Sequence, residues 1–210
     1  MKIQMFTIGA LSTNCYILFC EDTKEAVIID PGFDSNFDKE RIQKFIEQEK
    51  LTLKFIIDTH GHPDHTCGNG IIKEKFNVPI LIHKDDADML GKKNRIFELF
   101  GFQSFSPSAD IMLHEEDIVR FGKTSLKVMH TPGHSRGSIS LLGDKEVFVG
   151  DTLFLGSIGR TDFPESSERE MKSSLRKLAN LPDHCVVYPG HGSTTTIGEE
   201  KIGNPFLQCL

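Results

Sequence analysis

The sequence predicts a mixed α/β (α+β) fold in which two β-sheets pack together and helices cover their outer faces. Strand-like runs recur in both halves of the chain, and each half also contains an amphipathic helical pattern. The length of 210 residues suits one large domain, and the composition is that of an ordinary globular protein. We therefore expect a single domain over residues 1–210, built as a sandwich of two sheets with helical layers.

The first half of the chain changes between strand and helix patterns. Lys2–Ile8 and Asn14–Cys20 carry β-type residues, and a polar turn connects the second run to Ala26–Asp30, which predicts an antiparallel hairpin. Helical spacing follows over Asn36–Lys50, and Lys54–Asp58 then reads as a short buried strand. The apolar residues predicted to share one face of the helix are Phe37, Ile42, Phe45 and Ile46.

The second half of the chain, like the first, contains a series of predicted strands. An amphipathic helix is predicted from Ser167 to Leu181, because Met171, Leu175 and Leu178 recur at helical spacing. The predicted strands around it are Asp117–Phe121, Ser125–His130, Ser138–Leu142, Glu146–Gly150 and Cys185–Pro189.

Charge and cysteine content restrict the class of protein. The net charge of −6 disfavours nucleic acid as a partner, since such binding relies on clustered Lys and Arg. The five cysteines are odd in number and form no CxxC pair, which indicates reduced thiols rather than a disulfide framework. The sequence shows no signal-peptide pattern and no apolar run of about 20 residues that a membrane span would need. We expect a cytoplasmic protein that binds neither nucleic acid nor membrane.

A cluster of three histidines and one aspartate provides the strongest functional signal. His60, His62, Asp64 and His65 follow directly after the predicted strand Lys54–Asp58. These side chains are difficult to accommodate in an apolar core, because each imidazole needs polar partners. In a turning loop, His60 and His62 can project the same way and chelate one ion, while Asp64 and His65 turn toward a second. The pattern therefore predicts a metal site.

Four side chains cannot complete two metal sites, so further ligands are required downstream. His134, Asp151 and His191 each follow a predicted strand and lie beside a glycine. Taken singly, each would be read as a turn residue. Taken with the upstream cluster, all three are candidate ligands.

With these residues assembled, the chain resembles the metallo-β-lactamase superfamily, and more narrowly its glyoxalase II (hydroxyacylglutathione hydrolase) branch. The HxHxDH motif followed by single His, Asp and His residues carries the resemblance, which spans nearly the whole chain. The local segments that also match are Thr13–Tyr16, Ile29–Gly32, Thr131–His134, Gly159–Asp162 and Asn204–Phe206.

The resemblance implies a four-layer αββα sandwich with two metal ions at one edge of the sheets. It places His60, His62 and His134 on the first metal. It places Asp64, His65 and His191 on the second metal, with Asp151 bridging the two. Five imidazoles and two carboxylates suit two divalent ions, with zinc expected, iron or manganese as alternatives, and calcium disfavoured.

Two adjacent cations predict a hydrolytic reaction. Metals roughly 3.5–4 Å apart can share a water and lower its pKa to about 7, so that hydroxide forms at neutral pH. Asp64 and Asp151, together with that metal-bound water, are the expected catalytic groups. A thiolate leaves readily at neutral pH, so a small-molecule thioester is the natural substrate. Full-length glyoxalase II also carries a C-terminal helical region that helps to hold glutathione, and we expect this chain to lack that domain.

Several residues near the motif have two interpretations. Asp58 is predicted either to accept a hydrogen bond from a ligand imidazole or to cap a turn at the strand end. Arg160 and Asp162 pair with each other to brace the site, or Arg160 meets an anionic substrate. Cys67 is expected to be a small buried side chain. His83, His114 and His184 are expected to be non-ligands, and His130 to contribute only packing or outer contacts.

The apolar residues of segment 97–105 either cover the mouth of the active site or form core under a loop. They are Phe97, Leu99, Phe100, Phe102 and Phe105.

Five other functions compete with thioester hydrolysis. The persulfide dioxygenase branch has the same fold and would use one iron at the positions of His60, His134 and Asp151. A hydrolase of another ester or a lactone is also open. A binding module without turnover is disfavoured, because a structural metal site is normally closed by protein ligands. Nuclease activity is disfavoured by the acidic balance, and an oxygen-reducing flavo-diiron role by the lack of room for a flavin domain.

Overall fold

The computed structural model describes residues 1–91, 102 and 104–210. Two six-stranded mixed sheets form the centre of this structure. Phe97, Leu99 and Phe100, which the sequence analysis placed over the site or in a core, lie outside the described residues.

The first sheet has its strands in the order β1-β2-β3-β4-β5-β6. The first three are antiparallel neighbours, and the remaining ones pair in parallel. Parallel pairing requires a crossover connection, and helices α1 and α3 supply two of them. The elements are β1 (Lys2–Ile8), β2 (Thr13–Phe19), β3 (Glu25–Ile29), α1 (Asn36–Gln48), β4 (Thr52–Ile57), α2 (Pro63–Thr66), α3 (Asn69–Phe76), β5 (Ile80–His83), a 3₁₀ turn (Ala87–Met89) and β6 (Ile111–Leu113).

The second sheet has the order β14-β13-β10-β9-β8-β7. A small hairpin, β11–β12, projects after β10, and three helices follow along the chain. The elements are β7 (Ile118–Phe121), β8 (Thr124–His130), β9 (Ile139–Leu142), β10 (Glu146–Gly150), β11 (Leu153–Phe154), β12 (Ser157–Ile158), α4 (Glu168–Ala179), β13 (Val186–Pro189), β14 (Thr195–Thr196), α5 (Ile197–Gly203) and α6 (Pro205–Gln208).

Three apolar clusters separate four layers and confirm the predicted αββα sandwich. One cluster joins the first sheet to α1 and α3, one lies between the two sheets, and one joins the second sheet to α4 and α5. Strand β3 shows why the sheets are apolar on both faces. Its Ala26 and Ile28 face the helices, while Val27 and Ile29 face the other sheet. A strand buried on both sides reads as a continuous apolar run.

The helix predicted over Asn36–Lys50 forms as α1, but one predicted core residue was wrong. Ile42 and Ile46 are buried, whereas Phe37 is 70% exposed. Five residues of a helix rotate the side chain by about 140°, so Phe37 cannot share a narrow face with Ile42. Its ring instead lies near the Arg41 guanidinium, 5.3 Å from the ring centroid. Among the described residues, no helix has the length and apolarity that crossing a membrane requires.

Phe148 lies in the cluster between the sheets, so its substitution tests the packing of the two sheets against each other. It is fully buried, stacks on Tyr188 and meets Tyr16 edge to face. Phe148→Ala is expected to lower the free energy of unfolding by about 3–5 kcal/mol, because it removes a ring from a closed core. Urea titration would measure this change. Ile202→Ala, at a position 79% exposed, is the control and is expected to change stability by under about 0.5 kcal/mol. Equal effects of the two substitutions would contradict the packing described.

Candidate metal centre

The seven predicted ligands lie together at one edge of the sandwich. Strand β4 of the first sheet ends just before His60, and β8 and β13 of the second sheet end just before the turns that carry His134 and His191. Asp151 directly follows β10, and α2 carries Asp64 and His65. The two sheets therefore contribute to one site, as the sequence predicts for side chains at strand ends.

A first group consists of three imidazoles. Potential ligand atoms of His60, His62 and His134 all lie within 4.8 Å of one another. Nδ1 of His62 is 2.9 Å from Nε2 of His134. The ring centroids of His60 and His62 are 4.7 Å apart, and the planes are nearly perpendicular. This is the set predicted for the first metal.

A second group consists of Asp64, His65 and His191, whose potential ligand atoms also lie within 4.8 Å of one another. Nε2 of His65 is 3.3 Å from Nε2 of His191. Oδ2 of Asp64 is 3.5 Å from the former and 3.3 Å from the latter. This is the set predicted for the second metal.

The carboxylate of Asp151 lies between the two groups. Its Oδ2 is 3.5 Å from Nε2 of His134 in the first group and 3.6 Å from Nε2 of His191 in the second. Its Oδ1 is 3.4 Å from Nε2 of His65. Asp151 therefore occupies the position that a bridging ligand requires.

Hydrogen bonds on the outer side of the rings determine which nitrogens face inward without a proton. Nδ1 of His134 lies 3.0 Å from the carbonyl oxygen of Arg160, and Nε2 of His62 lies 3.0 Å from the Glu165 carboxylate. Neither oxygen can donate, so these nitrogens carry the protons. In neutral rings, the nitrogens that face each other at 2.9 Å would then both be lone-pair acceptors. A cation between or beside them would stabilise this arrangement.

Two further polar atoms in the centre are unsatisfied. Nε2 of His60 and Oδ1 of Asp151 are buried and have no hydrogen-bond partner in the described structure. Nδ1 of His60 is already in contact with Oγ1 of Thr59 at 3.1 Å, which leaves Nε2 directed toward the other ligands. Orphaned buried atoms of this kind are rare unless an ion or water completes them. The donor set thus suits a binuclear centre of divalent ions.

The electrostatics of the two groups differ. Burial, reinforced by the neighbouring imidazoles, holds the pKa of His60 well below its usual value, so this ring is neutral as a ligand should be. Burial also acts to lower the pKa of His65, but the carboxylates of Asp151, Asp64 and Asp30 outweigh it and raise the pKa to about 10. The second group therefore contains the stronger negative field, which favours a cation there.

The aspartate that supports a predicted ligand is Asp30 and not Asp58. Oδ2 of Asp30 lies 2.9 Å from Nδ1 of His65, and the same carboxylate accepts hydrogen bonds from the backbone and hydroxyl of Thr59. The recorded partner of Asp58 is the Asn69 amide at 2.7 Å, so the predicted bond to an imidazole was wrong. Asp58 directly follows β4 and points toward α3, whereas Asp30 directly follows the adjacent strand β3 and lies beside the loop that carries the ligands.

The segment Thr13–Tyr16 positions the turn that carries His191. The side-chain amide of Asn14 donates to the carbonyl oxygens of Pro189 and Gly192, and the Tyr16 hydroxyl donates to that of Pro189 at 2.6 Å. This segment matches the family in sequence, but the sequence predicts no role for it. Its function is to tie the first sheet to the end of β13.

Arg160 and Asp162 pair with each other in two hydrogen bonds of 2.6 and 2.7 Å. The guanidinium lies 4.1 Å from the ring centroid of Phe163, which in turn meets the His62 ring. The contact of Glu165 with His62 was missed by the sequence analysis. Nothing in the sequence marks this glutamate, because only folding brings its loop back to the histidine.

Cys67 is buried, as predicted, and packs with Phe102. The Ser104 hydroxyl donates a hydrogen bond to the Cys67 carbonyl oxygen. This bond holds the described part of segment 97–105 against the chain at Cys67. Phe105, in contrast, is 45% exposed. Phe102 therefore forms core under a loop, one of the two interpretations made from the sequence.

A separate group of His83, Asp85 and His130 also has ligand atoms within 4.8 Å of one another. The two rings are stacked, with centroids 4.0 Å apart and planes 13° from parallel. Lone pairs of stacked rings run side by side and do not converge on one ion. His130 Nε2 lies 2.8 Å from the Arg136 carbonyl oxygen, so the ring already has a partner.

Comparison with known proteins gives the family. Residues 8–191 match the model described as the metallo-beta-lactamase superfamily. The chain belongs to the metallo-beta-lactamase superfamily. A relative from Haemophilus influenzae, named hydroxyacylglutathione hydrolase GloC, is 38% identical over 215 residues, covering 99% of this chain and 98% of the relative.

Solved structures of this superfamily align closely with the chain. The BLEG-1 B3 metallo-beta-lactamase aligns with a TM-score of 0.89 at 35% identity, over 98% of this chain and 99% of that one. A di-iron-bound form of TTHA1623 aligns with a TM-score of 0.86 at 32% identity, over 97% and 100%. ETHE1 from Myxococcus xanthus aligns with a TM-score of 0.82 at 31% identity, over 98% and 84%.

Removal and return of metal tests the centre. Metal-free protein is expected to gain thermal stability when Zn²⁺ is added, because an ion that binds only the folded chain stabilises it by about 2.7 kcal/mol at 100 times its Kd. Thermal unfolding with and without Zn²⁺ would measure the shift. His62→Ala is expected to reduce the shift, whereas His114→Ala, exposed and outside the centre, should retain it. An unfolding temperature independent of metal would contradict the fit of these residues to an ion.

Proposed function

We propose that this superfamily member hydrolyses small-molecule thioesters of the hydroxyacylglutathione type. The observation that carries the proposal is the position of Asp151 between two converging groups of ligands. That arrangement suits a binuclear hydrolytic centre rather than a closed structural site. The GloC relative, at 38% identity over nearly the full length of both chains, supports the thioester over other hydrolase substrates.

His60, His62 and His134 would hold one ion, Asp64, His65 and His191 the other, and Asp151 would bridge them. When bound, two such ions lower the pKa of a shared water to about 7 and stabilise negative charge on an acyl oxygen. We propose zinc as the native metal, with iron or manganese as alternatives. The di-iron form of TTHA1623 supports iron as the first of these.

Four carboxylates of the chain have the remaining proposed roles. Asp64 and Asp151 are the proposed catalytic carboxylates, and they orient the attacking water against the acyl carbon. Asp30 and Glu165 keep the outer nitrogens of His65 and His62 protonated and therefore keep the inner ones free. The leaving thiolate is stable at neutral pH, so the reaction needs no dedicated acid and no Ser or Cys nucleophile.

The setting of the reaction is also proposed. A net charge of −6 and the free state of all five cysteines support a cytoplasmic protein without a nucleic-acid partner.

The proposal is tested by thiol release from S-lactoylglutathione, with the metal content of the same sample quantified. We expect thiol release with two ions per chain. Asp151→Asn should reduce kcat by at least about 100-fold, because it removes the bridging charge. Asp183→Asn is the matched control, since that carboxylate is exposed and pairs with Lys201.

The substrate panel also contains a lactone and a β-lactam, because BLEG-1 is named a metallo-beta-lactamase. Hydrolysis of one of these, with thioesters untouched at full metal occupancy, would contradict the thioester proposal.

A second candidate is persulfide oxidation with a single iron. The similarity to ETHE1 and the Gly159–Asp162 loop favour it as the alternative. The iron would use His60, His134 and Asp151. Oxygen uptake with glutathione persulfide by iron-loaded protein would favour this activity. Absence of uptake, with thiol release from the thioester, would dismiss it.

A further inference from the structure

A buried carboxylate lies at the junction of two loops in the metal centre. Asp86 follows β5 and is 1% exposed. Its Oδ2 accepts hydrogen bonds from the backbone N–H of Gly61 at 3.0 Å and from the Ser135 hydroxyl at 2.6 Å. Its Oδ1 accepts from the backbone N–H of Gly137 at 2.6 Å. All three donors belong to other segments of the chain, so this one side chain links them.

The three donors are neighbours of the three-histidine group. Gly61 lies between His60 and His62, and Ser135 directly follows His134. None of them is adjacent to His191. His65 of the second group has its own support, from Asp30.

Close packing adds to these hydrogen bonds. A Cβ on Gly137 would lie 2.5 Å from the backbone nitrogen of Asp86, and a Cβ on Gly61 would lie 2.6 Å from the Cβ of Met89. Both distances are shorter than real Cβ contacts allow. The turn that carries Asp86 and Met89 therefore rests directly on the backbone of both ligand loops, and a shift of the turn would move both loops.

We propose that Asp86 is a positioning residue that sets the distance between the His60–His62 loop and the His134 loop, and thereby the affinity of the three-histidine metal site. This inference rests on the proposed binuclear centre. A tetrahedral site tolerates only small errors in ligand position, and loss of an outer partner of the ligands typically changes metal affinity 10–100-fold. Asp86 acts through the neighbours of the ligands, since its side chain accepts from the backbone of Gly61 and Gly137 and from the Ser135 hydroxyl.

Asp86→Asn is the informative substitution. It preserves the shape of the side chain, but its NH₂ group would face an N–H or hydroxyl donor where the carboxylate accepts. Metal-free protein would be titrated with Zn²⁺ in competition with a chromophoric chelator. We expect two sites in the unsubstituted protein. In D86N, one site should keep its affinity while the other loses 10–100-fold.

Two backgrounds assign the affected site. With His191→Ala, which weakens the second group, D86N should reduce the remaining affinity. With His62→Ala, which weakens the first group, D86N should leave the remaining affinity unchanged. Equal losses in both backgrounds, or no loss in either, would overturn the proposal.

Glu200→Gln is the matched control. Glu200 is also a buried carboxylate that accepts three hydrogen bonds, from Thr195, Asn204 and the backbone of Gly156. Glu200→Gln should lower thermal stability without a selective loss of Zn²⁺ affinity at either metal site. A selective loss at the three-histidine site in E200Q would show that general destabilisation causes the effect and would overturn the proposal.

If D86N does not fold, Ser135→Ala removes one of the three bonds and keeps the carboxylate. It should weaken the three-histidine site selectively, by less than ten-fold; unchanged affinity in S135A would overturn the proposal in that case. Fewer than two Zn²⁺ sites in the unsubstituted protein would instead contradict the binuclear centre, so the two failures are distinguishable.

Discussion

The arrangement of the centre depends on hydrogen bonds made on the outer sides of its imidazoles. Arg160, Glu165 and Asp30 accept from His134, His62 and His65, and each bond fixes the outer ring nitrogen as a donor, so that the opposite nitrogen faces the centre. Facing lone pairs and buried carboxylates repel one another unless positive charge lies among them. The fold therefore concentrates electrostatic repulsion at one edge of the sandwich. Divalent ions bound there would relieve it.

The sandwich meets this requirement by bringing strand ends from both sheets to the same edge. Small residues permit the close approach. A Cβ on Gly32 would lie 1.6 Å from the carbonyl oxygen of Asp64, and a Cβ on Gly190 would lie 2.2 Å from Oδ1 of Asp151. Larger residues at these positions would separate the ligand loops. The apolar cluster between the sheets holds the strands in place, so the ligand geometry also depends on packing between the two sheets.

Much of this arrangement could be predicted from the sequence, because its signals are local. The HxHxDH motif lies within six consecutive residues, and His134, Asp151 and His191 each follow a recognisable strand. The outer partners could not be predicted in the same way. Asp30, Glu165 and Asp86 reach the centre from segments 25–103 residues away from their partners in sequence, from the contact of Asp86 with Gly61 to that of Glu165 with His62.

The errors and omissions in the predictions from sequence have physical causes. Asp58 was given a bond to an imidazole as one of two predicted roles because it lies next to the motif, but the direction of its side chain depends on where β4 meets α3, and it bonds Asn69. Asp30 carried a usable sequence signal, since it follows an apolar run and precedes Pro31. In the structure it directly follows β3 and adopts a positive φ of 50°. Hairpin β11–β12 and helices α5 and α6 were not predicted, because each is short and stabilised by tertiary contacts.

Two ions are expected to occupy this centre, one in each group of ligands. Anomalous diffraction from crystals of the Zn²⁺-loaded protein would locate them. We expect two peaks: one about 2.0–2.1 Å from Nε2 of His60, Nδ1 of His62 and Nε2 of His134, and one among Asp64, His65 and His191, with Asp151 contacting both. A single peak outside these groups, such as one at the stacked His83 and His130, would contradict the claim.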